Sequence, residues 1–207
     1  QSASLIAIAA VVAVAGLVPL TFQGQASAAT VTSRSVTISD STPAQTGVTY
    51  TVAFTAATSS NVGAIIVQAC TTPLGNCTLP GGSTKMNISA ATVSHTWAGA
   101  DSTAFTETTT DTGACTEGDG GNNVATMDCL TRTPVTPETA VGKTLTLSAV
   151  GNPSITSGNN EQVYLRITTY SAAGYTGLVD EGVVAASIVN QLTVAGRVQE
   201  RLVFCVF

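Results

Sequence analysis

The chain has 207 residues and a formal net charge of −5 at pH 7, and only 9% of its residues are charged, against about 25% in ordinary soluble proteins. Its seven Lys and Arg residues are too few and too scattered to form the basic patch that binding to nucleic acid or to an anionic membrane requires. Apolar residues make up 44% of the chain, so it can bury a substantial core, and its polar surface must be largely uncharged, as in many secreted β-proteins.

The first 28 residues form an apolar segment without a single charged residue. As a helix, residues 4–22 would span about 28 Å, close to the thickness of a bilayer core. A helix that is apolar on every side must be buried against lipid or against other protein. The side chains that we expect to mediate its assembly are Leu5, Ile6, Ile8, Val11, Val12, Val14, Leu17 and Val18.

Three interpretations of this segment are open. Ala26-Ser27-Ala28 fits the small-residue cleavage site of a secretory signal peptide, in which case the mature chain begins near Ala29. The length of the run also fits a membrane anchor, although no Lys or Arg flanks it to set its orientation. In the third interpretation the helix is retained and packs against neighbouring copies, which its many small residues would allow to approach closely.

The segment resembles the N-terminal helix of type IV pilins and of archaeal pilin-like filament subunits. The resemblance is carried by Ser4-Leu5-Ile6 and by the later Gly16 and Pro19. The acidic residue near the start of the bacterial pilin helix has no counterpart, since this segment carries no charge. The resemblance implies an apolar helix that bundles in the core of an extracellular filament, with a β-rich head outside.

Beyond this segment, β-branched and aromatic residues alternate with polar ones at a period of two, which is typical of half-buried strands. In the clearest case Tyr50, Val52 and Phe54 share one face. Turn-forming residues separate the runs, so the sequence predicts one all-β sandwich over 29–207, Ig-like or similar, with about eight to ten short antiparallel strands. The predicted strands are 31–39, 49–57, 63–70, 91–97, 142–150, 162–170, 183–189, 191–198 and 201–207.

Five cysteines in a chain so poor in charge indicate an oxidising compartment, and therefore an extracellular or cell-surface protein. Cys70 and Cys77 flank a turn-like Pro-Leu-Gly sequence, and Cys115 and Cys129 flank a Gly- and acid-rich loop. We expect these two pairs to form disulfides, although four cysteines allow three connectivities. Cys205 lies in a run that is apolar on both faces, which favours a buried free thiol over an intermolecular disulfide.

Residues 99–132 are the least regular stretch, with six of the twelve acidic residues, and we expect a long disulfide-tied excursion from the sandwich. Within it, Glu117 and Asp119 are the best candidates for calcium ligands, but their spacing departs from the twelve-residue calcium loop, and a solvated acidic turn is the alternative. Asn76 and Asn87 begin N-x-Ser/Thr triplets, which mark N-glycosylation sites but also arise by chance in a Thr- and Ser-rich chain.

The sequence predicts neither an enzyme nor a cofactor. The single histidine, His95, lies on a predicted strand and no G-x-S-x-G motif accompanies it. Gly142-Lys143-Thr144 looks like the end of a phosphate-binding loop, but Pro137 stands where such a loop requires glycine, and a strand is predicted to follow.

The body also resembles Thr- and Ser-rich secreted surface proteins of bacteria with reduced genomes, over SRSVTISDSTPAQTGVTYTVAF (33–54) and VAGRVQERLVFCVF (194–207). That resemblance implies a β-sandwich at the cell surface. The sequence as a whole predicts a structural subunit of an extracellular filament that polymerises with itself, contacts a membrane through residues 4–22 before assembly and binds no nucleic acid. The alternative is an adhesin-like sandwich, secreted or surface-anchored, that binds a host-surface ligand after cleavage of the N-terminal segment.

Overall fold

The computed structural model describes residues 28–88, 92–97, 105–108, 115, 127–133, 142–155 and 160–190, which form a sandwich of two β-sheets. In the part of the chain that is described, no helix has the length and apolar character needed to cross a membrane. The strands are β1 (Ala29–Thr30), β2 (Thr32–Ile38), β3 (Val48–Thr55), β4 (Ala64–Cys70), β5 (Thr92–Trp97), β6 (Thr106–Glu107), β7 (Met127–Thr131), β8 (Gly142–Val150), β9 (Glu161–Ala172) and β10 (Thr176–Ile188).

One sheet has six strands in the order β1-β10-β9-β4-β7-β6, and the other has four in the order β2-β3-β8-β5. The paired strands are antiparallel except for β1, which runs parallel to β10. The chain changes sheets at Val31, between β1 in the six-stranded sheet and β2 in the four-stranded sheet.

The core lies between the sheets and follows from the period-two pattern. Along β3 every second residue is buried, and β8 and β9 show the same alternation, because one face of each strand meets the opposite sheet. The large, fully buried apolar side chains of this core include Tyr50, Phe54, Ile65, Met86, Ile88, Leu130, Leu145, Leu147, Leu165, Ile167 and Ile188.

A smaller apolar cluster covers the outer face of the six-stranded sheet. Ala64 and Ile66 of β4 pack there with Tyr175 and with the disulfide-bonded pair Cys115 and Cys129. Strand β4 is therefore buried on both faces, which explains its nearly continuous apolar sequence.

The all-β sandwich agrees with the prediction, and seven of the predicted strands overlap β2, β3, β4, β5, β8, β9 and β10. Strand β10 begins at Thr176, well before the predicted start at 183. The sequence predicts no strand in 99–132, but β6 and β7 both lie there, and β7 pairs with β4 inside the sheet. The predictions over 1–27, 191–198 and 201–207, with Cys205, lie outside the described residues.

Candidate functional site

The apolar segment enters the sandwich at a junction that we define as Ala29–Val31 of the entering chain with Asp180–Gly182 of β10. Ala29 and Thr30 pair in parallel with Asp180 and Glu181, and the Val31 N–H donates to the Glu181 carbonyl oxygen at 2.9 Å. The Val31 side chain is 1% exposed and belongs to the main core. Strand β1 therefore begins at Ala29, the first residue after the apolar segment.

Gly182 makes room for the junction. A methyl group at this position would overlap Cγ2 of Val31 and would lie 3.2 Å from Cδ of Arg34. Any side chain at position 182 would occupy the space that Val31 fills. Gly182 therefore allows the backbone of Ala29–Val31 to lie close to β10.

Asp180 ties the junction to the opposite sheet. Its side chain is 1% exposed, and Oδ2 accepts hydrogen bonds from the backbone N–H groups of Ala57 and Thr58, both at 3.1 Å, just after β3 ends. Its own N–H donates to Oγ1 of Thr169 at 3.0 Å, and that hydroxyl donates to the Asp180 carbonyl at 3.2 Å. The strand that receives the apolar segment is thus held from both sheets.

An open groove of about 370 Å³ lies beside the junction and crosses β1, β10, β9 and β4. Uncharged polar side chains line its floor, namely Thr30, Gln68 and Thr168. One wall is the loop 71–76, which the Cys70–Cys77 disulfide closes, and Leu74 at its tip is 77% exposed. We call this feature the junction groove.

Arg166 fixes the loop wall of the junction groove. From β9, its Nη1 donates to the Gly75 carbonyl at 2.7 Å, and Nε and Nη2 donate to the Thr72 carbonyl at 3.3 and 3.0 Å. Nη2 also donates to Oγ1 of Thr72 at 3.2 Å. Together with the disulfide, this planar fork holds the loop against the sheet.

A β-bulge places a second arginine in the same groove. The register of β2 and β3 shifts between Thr32 and Ser35, and Ser33 has the left-handed φ of 47°. A bulge of this kind re-aims the next side chain, and Arg34 reaches across to Gly182 on the other sheet. Arg34 is exposed and makes no hydrogen bond or ion pair with the residues that the structure describes.

Among the described residues that line the junction groove, Glu181 supplies the one acidic side chain. Burial raises the pKa of Tyr170 on the neighbouring strand, and the charge of Glu181 raises that pKa further. With two arginines against one carboxylate, the part of the lining that the structure describes is net positive.

Both expected disulfides are present, with S–S distances of 2.06 Å for Cys70–Cys77 and 2.02 Å for Cys115–Cys129. The first closes the wall of the junction groove, whereas the second packs in the outer cluster and has no part in the groove. The sequence therefore predicts the bond between Cys70 and Cys77. It does not predict that this bond closes the wall of a groove.

The two glycosylation triplets lie in different settings. Asn76 is exposed on the loop beside the junction groove. Asn87 is half-buried and exchanges backbone hydrogen bonds with Gly151 at 3.0 and 2.9 Å. Glycosylation of either residue stays a prediction, and the exposed loop is the more accessible of the two positions.

The calcium candidates Glu117 and Asp119 lie outside the described residues, as do the assembly residues of the apolar segment. Among the residues that are described, no three His, Cys, Asp or Glu side chains gather where they could hold a metal ion. His95 lies in β5, and Lys143 is buried near the start of β8, where a strand follows it as expected.

No protein-family model matches the chain, and no curated protein matches it at a significant level. Among solved structures, the chain is similar to the crystal structure of the human F-spondin reeler domain (fragment 1), with 13% sequence identity and a TM-score of 0.30. That similarity covers 79% of this chain and 92% of the reeler domain chain. A similarity at this level assigns neither a family nor a function.

Proposed function

We propose that this chain is a structural subunit of an extracellular filament, in which the apolar N-terminal segments bundle and the sandwiches lie outside. The observation that supports this most is the junction, where Ala29, the first residue after the apolar segment, already lies in β1. A short parallel strand, a core side chain at Val31 and the carboxylate of Asp180 all anchor this entry point. We expect an entry point held by both sheets to carry load from the segment into the sandwich, as a polymer subunit requires.

The apolar segment can supply the free energy of assembly. Burying one helix of this length removes about 1,000 Å² of apolar surface from water, which contributes about 25 kcal/mol at about 25 cal/mol/Å² before the entropic costs of association. Even after large entropic losses, this would sustain a durable polymer.

The covalent chemistry of the sandwich is consistent with an extracellular location. Its two disulfides are typical of an oxidising environment. They restrain a loop wall and an outer cluster in a chain with very few charged side chains.

The proposal is tested on material sheared from the surface of the cells that produce the protein. Intact mass and N-terminal sequencing are combined with negative-stain images of the same sample. We expect filaments whose subunits retain residues 4–22. Monomers that begin near Ala29 would show that the segment is a cleaved signal peptide and would reject the filament proposal.

The junction groove favours a second candidate function, an adhesin-like binding module. Its volume and its few convergent polar groups are those of a small ligand-binding site. This function does not require the chain to polymerise, and a filament subunit could also carry it.

A further inference from the structure

The junction groove concentrates positive charge on a protein whose net charge is −5. Of the basic residues that the structure describes, Arg132 and Lys143 are buried, and Arg34, Lys85 and Arg166 are not. Arg34 and Arg166 both line the groove. A ligand that prefers this site over the rest of the described surface therefore carries negative charge.

The two arginines differ in how many of their hydrogen-bond donors are already used within the protein. The hydrogen bonds of Arg166 to Thr72 and Gly75 fix its guanidinium and leave one N–H of Nη1 without a partner in the loop. Arg34 lines the groove beside the junction, and all five of its N–H donors are available to a ligand. A guanidinium matches the geometry of an oxyanion, whether carboxylate or sulfate, with two parallel hydrogen bonds.

The remainder of the lining is suited to hydroxyl groups and to an apolar ring face. Thr30, Gln68 and Thr168 offer donors and acceptors along the floor, and Glu181 offers an acceptor. Pro73 and the exposed Leu74 form an apolar wall above them. A peptide of acidic residues would satisfy the arginines but would offer neither hydroxyl groups to the floor nor a ring face to Leu74.

We propose that the junction groove binds an acidic saccharide, with the oxyanion on Arg34, ring hydroxyls on the polar floor and a ring face on Leu74. The inference rests on the binding-module function and gives its ligand class. It does not depend on filament assembly.

The test uses the full-length chain and isothermal titration calorimetry with four probes. These are a galacturonate tetrasaccharide, its methyl ester, a heparin-derived sulfated tetrasaccharide and a hexaglutamate peptide. We expect binding of the galacturonate or of the sulfated tetrasaccharide, or of both, and binding at least about tenfold weaker for the uncharged ester. The first two probes distinguish a carboxylate from a sulfate as the source of the oxyanion.

The matched variants are Arg34→Ala and Lys85→Ala, which each remove one exposed positive charge. Lys85 lies outside the groove, where its Nζ donates to the Gly81 carbonyl. Arg34→Ala should weaken binding of the acidic saccharide by about tenfold or more, and Lys85→Ala should leave it unchanged. Arg34 is exposed, so its variant should keep the wild-type unfolding midpoint, which is measured alongside.

The outcomes separate the ligand class from the binding function. Equal affinity for the galacturonate and its ester, or tighter binding of the peptide than of either acidic saccharide, would overturn the ligand class and leave the binding-module function standing. An equal loss in both variants would overturn the assignment to this groove. No binding of any probe would overturn the inference and count against the binding-module function as well.

Discussion

Asn152 holds the turn after β2 against the end of the sandwich. Its side chain is 1% exposed, and Nδ2 donates to the carbonyl oxygens of Asp40 and Thr42, both at 2.9 Å. Oδ1 accepts the hydroxyl hydrogen of Tyr50 at 2.6 Å, and the Asn152 N–H donates to the Gln45 carbonyl at 2.8 Å. Every polar atom of this buried amide has a partner, so its removal would leave several buried groups unsatisfied.

The hydroxyl of Tyr50 makes stability depend on pH in the alkaline range. Burial raises the pKa of Tyr50 far above its usual value of 10.0 and also raises that of Tyr170. Because the folded-state pKa values lie above the unfolded values, this contribution is complete below about pH 10 and is lost as the pH rises further.

We expect the free energy of unfolding to fall as the pH rises above about 10, and Tyr50→Phe to show a smaller fall. At neutral pH the same variant should lose about 1–3 kcal/mol, because Oδ1 of Asn152 stays buried without its donor. Chemical denaturation at a series of pH values measures both effects. The control is Tyr164→Phe, whose exposed hydroxyl bonds only to Gln162. An alkaline profile of Tyr50→Phe that is identical to wild type would contradict this account.

At the scale of elements, the junction shows how a strand of two residues is held in the sandwich. Strand β1 alone offers few hydrogen bonds, and the Val31 side chain in the core adds the packing. Gly182 permits that packing, because any side chain there meets Val31.

Gly182→Ala should therefore displace the Val31 side chain from its position in the core. We expect a loss of about 1–3 kcal/mol in the free energy of unfolding, and faster hydrogen exchange at the Val31 amide, whose bond to Glu181 depends on the close approach.

The matched control is Gly174→Ala, since a methyl group at Gly174 meets no atom within 4 Å. It should leave both measurements within error of wild type. If Gly182→Ala changed stability by less than about 0.5 kcal/mol and left the Val31 amide equally protected, the junction would not be held as described.

How much the sequence predicts depends on whether an element's pattern is local. Strand β3 was predicted because Tyr50, Val52 and Phe54 alternate with polar residues and one face meets the core. Strand β7 has only five residues and carries the buried Asp128 opposite Val67, so its strand conformation rests on pairing with β4. The first half of β10 contains glycines and acidic residues that disfavour strands, and its pairing with β9 overrides them.

The junction groove could not have been found from the sequence. Its two arginines are far apart in the chain, and Arg34 reaches the groove only through the bulge at Ser33. The groove forms where β1 meets β10, a parallel pairing with no sequence signature of its own. The predicted disulfide between Cys70 and Cys77 was the one signal that pointed to its wall.

At the scale of the whole molecule, a sandwich whose chain carries few charged residues follows directly after an apolar segment in the sequence. The described residues bury a core between two sheets, so we expect the sandwich to fold without that segment. Assembly and folding are then separable properties, which makes the filament proposal testable by substitution in the segment alone.

The most direct measurement is negative-stain imaging of filaments from cells that produce Val14→Asp, with Val14→Leu as the matched control. A carboxylate in the bundled segments would have to be buried without a partner, at a cost of several kcal/mol for each subunit. We expect no filaments from Val14→Asp, normal filaments from Val14→Leu, and an unchanged unfolding midpoint of the sandwich in both. Normal filaments from Val14→Asp would contradict the account.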